Sequence, residues 1–272
     1  MNFKIKKLGI AISSYSETNT SDMRYELLKE SLATLSSTIE AYKGALEIVV
    51  YLVIDGPVPD KHNEVISTLP KEFKLIRKKE NGGISRVKNT GIRLLLEENV
   101  DVGILVDDDV WYGNGWIEAY SKVIEDLQIH HLAWCNDKHL FYGEKEERKK
   151  RNIVEFEEKG HRLLRHIAAA GIFLTFTPKL IEQIGYFKVF PGKIGGEHIQ
   201  FTRRAWKKGL IKYPIDIAQS FRYIKHLGYL IDEGHITDDL ILSSVSSETL
   251  LTEKINFGAP NKDLDGKPPC IE

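Results

Sequence analysis

Val102-Gly103-Ile104-Leu105-Val106-Asp107-Asp108-Asp109 runs five apolar or small residues straight into three carboxylates. A short apolar run with a polar stop reads as a buried strand. Upstream, Glu47-Ile48-Val49-Val50-Tyr51-Leu52-Val53-Ile54 is an apolar, β-branched run stopped by Asp55-Gly56-Pro57, the pattern of a central parallel strand. Leu8-Gly9-Ile10-Ala11-Ile12 and Phe73-Lys74-Leu75-Ile76 are two further strands, and His131-Leu132-Ala133-Trp134-Cys135 is a fifth candidate. Helical stretches lie between them. Asp22 to Tyr42 sets Met23, Leu27, Leu28, Leu32, Leu35 and Ile39 at three- and four-residue steps, and His62 to Leu69, Ile84 to Glu97 and Trp116 to Leu127 follow. This alternation predicts an α/β domain with a mostly parallel central sheet flanked by helices. Ligands of such sheets sit beyond the carboxyl ends of the strands. Asp55 and Asp107–Asp109 are therefore expected on one edge.

Composition narrows the classes. The chain has 272 residues, 42% hydrophobic and 28% charged, enough for a packed core. Its 38 Lys+Arg against 39 Asp+Glu create no overall basic field, so nucleic acid is not an expected partner. No apolar run approaches the ~20 residues that cross a bilayer, so no integral span is expected. The basic start, Lys4 to Lys7, has no sustained apolar region behind it and is not a secretory signal. Cys135 and Cys270 stand alone, which excludes a disulfide framework and a zinc module and suits a reducing compartment.

The second half reads differently. Glu144 to Arg151 is a dense charge run, a solvated loop or helix face. Ala168 to Phe176 is small, then apolar. Thr177-Pro178 looks like an N-cap followed by Pro at the first helical position. A helix is expected after Gly195-Gly196, ending at Gly209, and an irregular tail from Gly258.

Five places can carry chemistry. Alternation puts Asp107 and Asp109 on one side and Asp108 on the other. Like charges so close need a positive partner, and Mg²⁺ or Mn²⁺ suits oxygen ligands; the plainer reading is a turn that caps the next helix. Asn81-Gly82-Gly83 opens a helix carrying Arg86 and Lys88, which suits an anion at a helix start or is only a glycine turn. It has neither the P-loop ending nor the dinucleotide glycine spacing. Gly195-Gly196-Glu197-His198 offers two candidate bases at a helix start, or a helix with an ordinary acidic first turn. His226 is a candidate neutral ligand, and Asp55 is a strand-end acid or a turn residue.

Taken in order, these segments resemble the family 2 glycosyltransferases of the GT-A fold. The resemblance runs from about residue 8 to 230. It rests on Ile12-Ser13-Ser14-Tyr15, the strand ending in Asp55, Gly82-Gly83-Ile84-Ser85-Arg86-Val87-Lys88-Asn89-Thr90-Gly91, and Leu105-Val106-Asp107-Asp108-Asp109. It continues through Gly171 to Phe176, Ile184-Gly185-Tyr186-Phe187, Gly195-Gly196-Glu197-His198-Ile199-Gln200-Phe201 and Arg203 to Gly209. The resemblance implies one GT-A catalytic domain over residues 1–230, with a nucleotide-sugar half (1–135), an acceptor half (136–230) and a C-terminal extension (231–272). It implies a transferase that moves a sugar from a nucleoside diphosphate sugar, most often a UDP-sugar, to a hydroxyl of a glycan or lipid-linked saccharide, with inversion. By resemblance Ser13 and Tyr15 line the nucleotide, Asp55 recognises the base, Arg86 lies near the nucleotide, and Asp107 contacts ribose or metal. Asp109 binds Mn²⁺ or Mg²⁺, and His226 is a candidate third metal ligand. The family's usual base is the Asp after Glu in Gly-Gly-Glu-Asp. Here that position is His198, so either Glu197 or His198 takes the proton, with Glu197 slightly favoured.

Two other classes stay open: a sugar-1-phosphate nucleotidyltransferase, whose Gly-rich basic loop is not present at Ser13-Ser14-Tyr15-Ser16, and a non-catalytic carbohydrate- or nucleotide-binding module on the same scaffold. A cytoplasmic place is expected, with peripheral attachment at the inner membrane face as an analogy and polysaccharide biosynthesis as the setting.

Overall fold

The computed structural model describes residues 3–16, 22–135, 153–166, 169–189, 196–218 and 220–228. The expected charge run at 144–151, the tail from 258, Ala168 and Gly195 lie outside these residues.

A six-stranded sheet runs through the molecule in the order β3 (Phe73–Arg77), β2 (Glu47–Ile54), β1 (Lys7–Ser14), β4 (Val102–Asp107), β9 (Ala169–Phe176), β6 (Ala133–Cys135). The first four strands are parallel, and β9 is antiparallel to both its neighbours. The helices are α1 (Asp22–Ala41), α2 (Asp60–Ser67), α3 (Ile84–Glu97), α4 (Trp116–Leu127), α5 (Pro178–Ile184) and α6 (Glu197–Lys207). Strand alternation sends Ile10, Ile12, Leu52 and Ile104 to one core with Leu28, Leu32, Leu35 and Trp116 of α1 and α4. It sends Ala11, Val53 and Leu105 to a second core with Val87, Leu95 and Phe201 of α3 and α6. α3 lies close on β1 because glycine leaves room: a Cβ on Gly91 would come within 2.7 Å of Ala11 Cβ.

The parallel register sets the functional edge. Ser13 lies opposite Asp107 and Ser14 opposite Ile54, so the ends of β1, β2 and β4 lie together. Asp55 follows directly.

Three short strands and one hairpin were not visible in the sequence. β5 (Val110–Tyr112) pairs antiparallel with β11 (Ile224–His226), folding the chain just after the Asp triplet against residues more than a hundred positions away. β7 (Val154–Glu158), β8 (His161–Arg165) and β10 (Ile215–Ile217) make a separate antiparallel sheet. Lys159 and Gly160 both take positive φ in its turn, the twist a two-residue hairpin loop needs. Asp216 ties that sheet to the main one by accepting from Tyr120 Oη (3.0 Å) and Cys135 N (3.0 Å); burial pushes its carboxyl up to about 6 despite these donors. The Thr177 cap, bonded from Leu180 N, and Pro178 at the first helical position are as read from sequence.

Candidate active site

Asp55 sits at the end of β2, nearly inaccessible, and its carboxylate organises the loop that opens α3. Oδ1 accepts from Gly82 N (3.0 Å), Oδ2 from Gly83 N (2.8 Å), and the Lys78 ammonium pairs with Oδ1. The loop approaches so closely that a Cβ on Gly56, at φ +102°, would lie 2.5 Å from Asn81 N. Arg86 is exposed one turn along α3, with its stem beside Gly82.

The Asp triplet splits three ways. Asp108 turns beneath β1, accepting from Ser14 Oγ and pairing with Arg24 of α1. Asp109 Oδ2 accepts from the other arm of the same guanidinium at 2.7 Å and lies 3.6 Å from His226 Nε2. β11 delivers that histidine, and Leu227 N bonds to Asp109 O (2.8 Å) to hold the segment in place. Burial pushes Asp108 up to about 6 against the pull of Arg24; Asp109 feels burial too, but the charges of His226 and Arg24 outweigh it and lower it.

Asp107 faces the other way, toward Lys88. Lys88 is 1% exposed although it carries a charge, and it reaches three elements. Its Nζ donates to Gly171 O (2.7 Å), lies 3.1 Å from Asp107 Oδ1 and 3.9 Å from Glu197 Oε1. Glu197 opens α6 after Gly196, whose φ is +59°. Its Oε1 lies 3.2 Å from His198 Nδ1. Burial works to raise Glu197, yet the hydrogen bond from His198 and the charge of Lys88 prevail and hold it at about 2. His198 packs over Gly171, where a Cβ would meet Nδ1 at 2.9 Å.

This is a sheet edge on which a carboxylate–imidazole pair and an acidic strand end are joined by one buried lysine. The Glycosyl transferase family 2 profile matches residues 10–178. An uncharacterized glycosyltransferase of Acanthamoeba polyphaga mimivirus is 34% identical over 233 residues, covering 86% of each chain. The chain belongs to glycosyltransferase family 2.

Among solved structures, the fold is similar to GalNAc-T7 crystallised with UDP, GalNAc and Mn2+ (TM-score 0.54, 14% identity), covering 82% of this chain and 44% of that one. It is also similar to S. aureus TarS (TM-score 0.50, 14% identity), covering 74% of this chain and 34% of that one. The chain thus spans less than half of either. These likenesses support the GT-A fold expected from the sequence, and the family makes this protein a glycosyltransferase.

Several residues expected at the site of this glycosyltransferase do come together. Asp109 meets His226, and Lys88 links Asp107 to Glu197 and His198. Ser13 is buried opposite Asp107, and Tyr15 is half-buried just past β1. Arg86 stays with the Asp55 loop. The positive partners now seen at the triplet are Arg24 and Lys88, where the sequence reading named only a metal.

Both cations were missed as charge partners. Lys88 left a signal: with Ile92 and Leu95 it stands on the inward stripe of α3, an unusual place for a lysine. Arg24 left none that a helix surface does not usually show. Asn89, quoted for the resemblance, is a clamp: it donates to Phe187 O (2.9 Å) and accepts from Phe187 N (2.8 Å).

Among the described residues, no three His, Cys, Asp or Glu side chains form a ready-made metal cage. Yet Asp107 Oδ1 and Asp109 Oδ1 are buried without a hydrogen bond, the former because Lys88 lies off its line. Four carboxylates (Asp107, Asp108, Asp109, Glu197) face two permanent cations, Arg24 and Lys88, so the carboxylates are in excess even with the two imidazoles nearby. Asp109 Oδ1 without a hydrogen bond, the His226 imidazole nearby and that excess fit a Mg²⁺-like ion, which takes few protein ligands and completes its shell with phosphate and water.

Proposed function

We propose that this glycosyltransferase moves a sugar from a UDP-sugar to a hydroxyl of a glycan or lipid-linked saccharide with inversion, and that His198 is the base. The observation that carries the choice of base is the Glu197–His198 contact beside Lys88. Glu197 is buried and held far on the ionised side, so it accepts a proton poorly at neutral pH. As an acceptor of hydrogen bonds it fixes the tautomer of its neighbour: His198 Nδ1–H donates to Glu197, leaving the Nε2 lone pair for the acceptor hydroxyl. This reverses the slight preference for Glu197 drawn from sequence.

In the reaction His198 Nε2 takes the hydroxyl proton while the acceptor oxygen attacks the anomeric carbon. The bond from that carbon to the diphosphate breaks, and its electron pair leaves on the β-phosphate oxygen. One displacement inverts the centre. Glu197 stabilises the imidazolium, and Lys88 keeps Glu197 in place. Asp109 with His226 would hold a divalent ion, which when bound supplies Lewis-acid neutralisation at the leaving diphosphate, and Asp107, paired with Lys88, would contact the ribose. Asp55 holds the Gly82–Gly83 loop against which the nucleotide would lie, with Ser13, Tyr15 and Arg86 around it.

The test is turnover followed as free UDP from a panel of UDP-sugars. His198→Ala is expected to lose roughly 10²- to 10⁴-fold in kcat with UDP affinity unchanged. Glu197→Gln is expected to lose less, because Nε2 survives. Equal, mild losses would remove both residues from the chemistry.

A further inference from the structure

We propose that Arg24 is a donor-binding residue, a preset guanidinium beside Asp109 that grips the diphosphate of the donor. The inference rests on the nucleoside diphosphate sugar reading above and assigns one more residue to that site.

The middle aspartate shows how the arm is built. Asp108 is 1% exposed and makes its contacts behind the site, away from the Asp107 and Asp109 Oδ1 atoms that lack hydrogen bonds. Its two oxygens are spent on Ser14 Oγ and Arg24 Nη2. Behind Ser14 lies His62, with Nε2 3.1 Å from Ser14 Oγ and Nδ1 2.8 Å from Ser16 Oγ. An ionised carboxylate only accepts, so Ser14 donates to Asp108, His62 Nε2–H donates to Ser14, and Ser16 donates to His62 Nδ1. Ser14, Ser16, His62 and Asp108 are all buried. A fully satisfied buried network holds its members in one arrangement. The member at its open end is Arg24.

Arg24 alone in that row reaches solvent, with 30% of its side chain exposed. Its fork has five N–H donors, and the two ion pairs use one on each terminal nitrogen. The other donors are not used by these two pairs, and the fork lies beside Asp109, next to which a diphosphate bound near Asp109 and His226 would place its oxygens. The need for such an arm is electrostatic. A diphosphate approaching a cluster with excess negative charge is repelled, and a guanidinium recognises phosphate oxygens through paired hydrogen bonds. Because Asp108 and Asp109 already orient the fork, little ordering is left to be done on binding.

The test is calorimetry on the full chain with Mg2+ present, using UDP, uridine and inorganic pyrophosphate. Arg24→Gln is expected to weaken UDP and pyrophosphate roughly ten- to a hundredfold while uridine stays within about twofold. Arg24→Lys, which keeps the charge and loses the fork, is expected to recover part of the loss. Should Arg24→Gln fail to fold, the pair Arg24→Gln with Asp108→Asn removes the most deeply buried carboxylate, leaves Asp109 beside His226, and carries the same reading. Unchanged UDP affinity, a parallel fall for UDP and uridine, or tighter UDP binding would each overturn the proposal; the last would mean that Arg24 only competes for Asp109. Wild-type protein that binds pyrophosphate but not UDP would refute the nucleotide reading while leaving Arg24 to be judged on pyrophosphate. Wild-type protein that binds neither would overturn the assignment itself.

Discussion

The site has two edges built by opposite methods. At the donor edge, adjacent residues do different jobs: Asp107, Asp108 and Asp109 leave one strand end and turn to Lys88, to Arg24 with Ser14, and to Arg24 with His226. At the acceptor edge, residues far apart in sequence do one job: Lys88, Gly171, Glu197 and His198 converge on one carboxylate–imidazole contact. The first edge is charged and needs counter-ions from outside the strand. The second buries one acid against its neighbouring histidine and the lysine it shares with Asp107. A strand end can present a cluster of like charges only when helices α1 and α3 reach across to balance it, whereas a helix start can bury a single acid with its partners.

If the edges are separable, changes at each should read out differently. The largest effect is expected from Asp109→Asn, which should abolish most Mn²⁺-dependent UDP binding, by at least about tenfold, the loss that even an outer-shell metal partner causes. Melting temperature without ligand should stay near wild type. Calorimetry showing the same UDP affinity with and without Mn²⁺ in wild type would dissolve the donor edge as a metal site.

Gly171→Ala should do the reverse. Its Cβ would meet His198 Nδ1 at 2.9 Å and Lys88 Nζ at 3.2 Å, so the imidazole must shift. Misplacement of a reacting group by about 1 Å can cost a hundredfold, so kcat should fall roughly ten- to a hundredfold with UDP affinity kept. An equal fall in UDP affinity would show that the two edges are one.

The smallest effect is on stability and compares the histidines beneath each edge. His62 under the donor edge and His131 under α6, bonded to Thr175 O (2.6 Å) and near Thr202 Oγ1 (2.9 Å), are both lowered by burial to about 4. Their unfolded forms bind protons first, so stability should fall as pH drops from about 6.5 toward 4, each contributing on the order of 3 kcal/mol. Asp108 and Asp216, pushed up to about 6, gain stability over the same range, so the test is a difference: between pH 7 and pH 5 the urea midpoint of His131→Gln should fall less than that of wild type. Equal changes in the two proteins would mean that the buried ring does not resist protonation.

The parallel strands and their helices were legible because each is a local pattern: an apolar run ending in a polar stop, or an inward stripe at helical spacing. Glu47–Ile54, Ile84–Glu97 and Trp116–Leu127 have the same bounds in sequence and structure. β5, β10 and β11 were not legible, since three-residue strands carry too few side chains to set a period and exist only because a distant partner pairs with them. The same holds at the site. Asp107 to Asp109, Glu197, His198 and His226 stood out by residue type and place, while nothing local assigned Arg24 to Asp108 or Lys88 to Glu197.

By itself the order of apolar runs and acidic stops determined the α/β layering and the edge on which the strand-end acids lie, and the motifs carried the family resemblance. Tertiary structure alone decided which charge answers which, because ion pairing depends on distance through space and falls away within a few ångströms, whereas periodicity is carried along the chain.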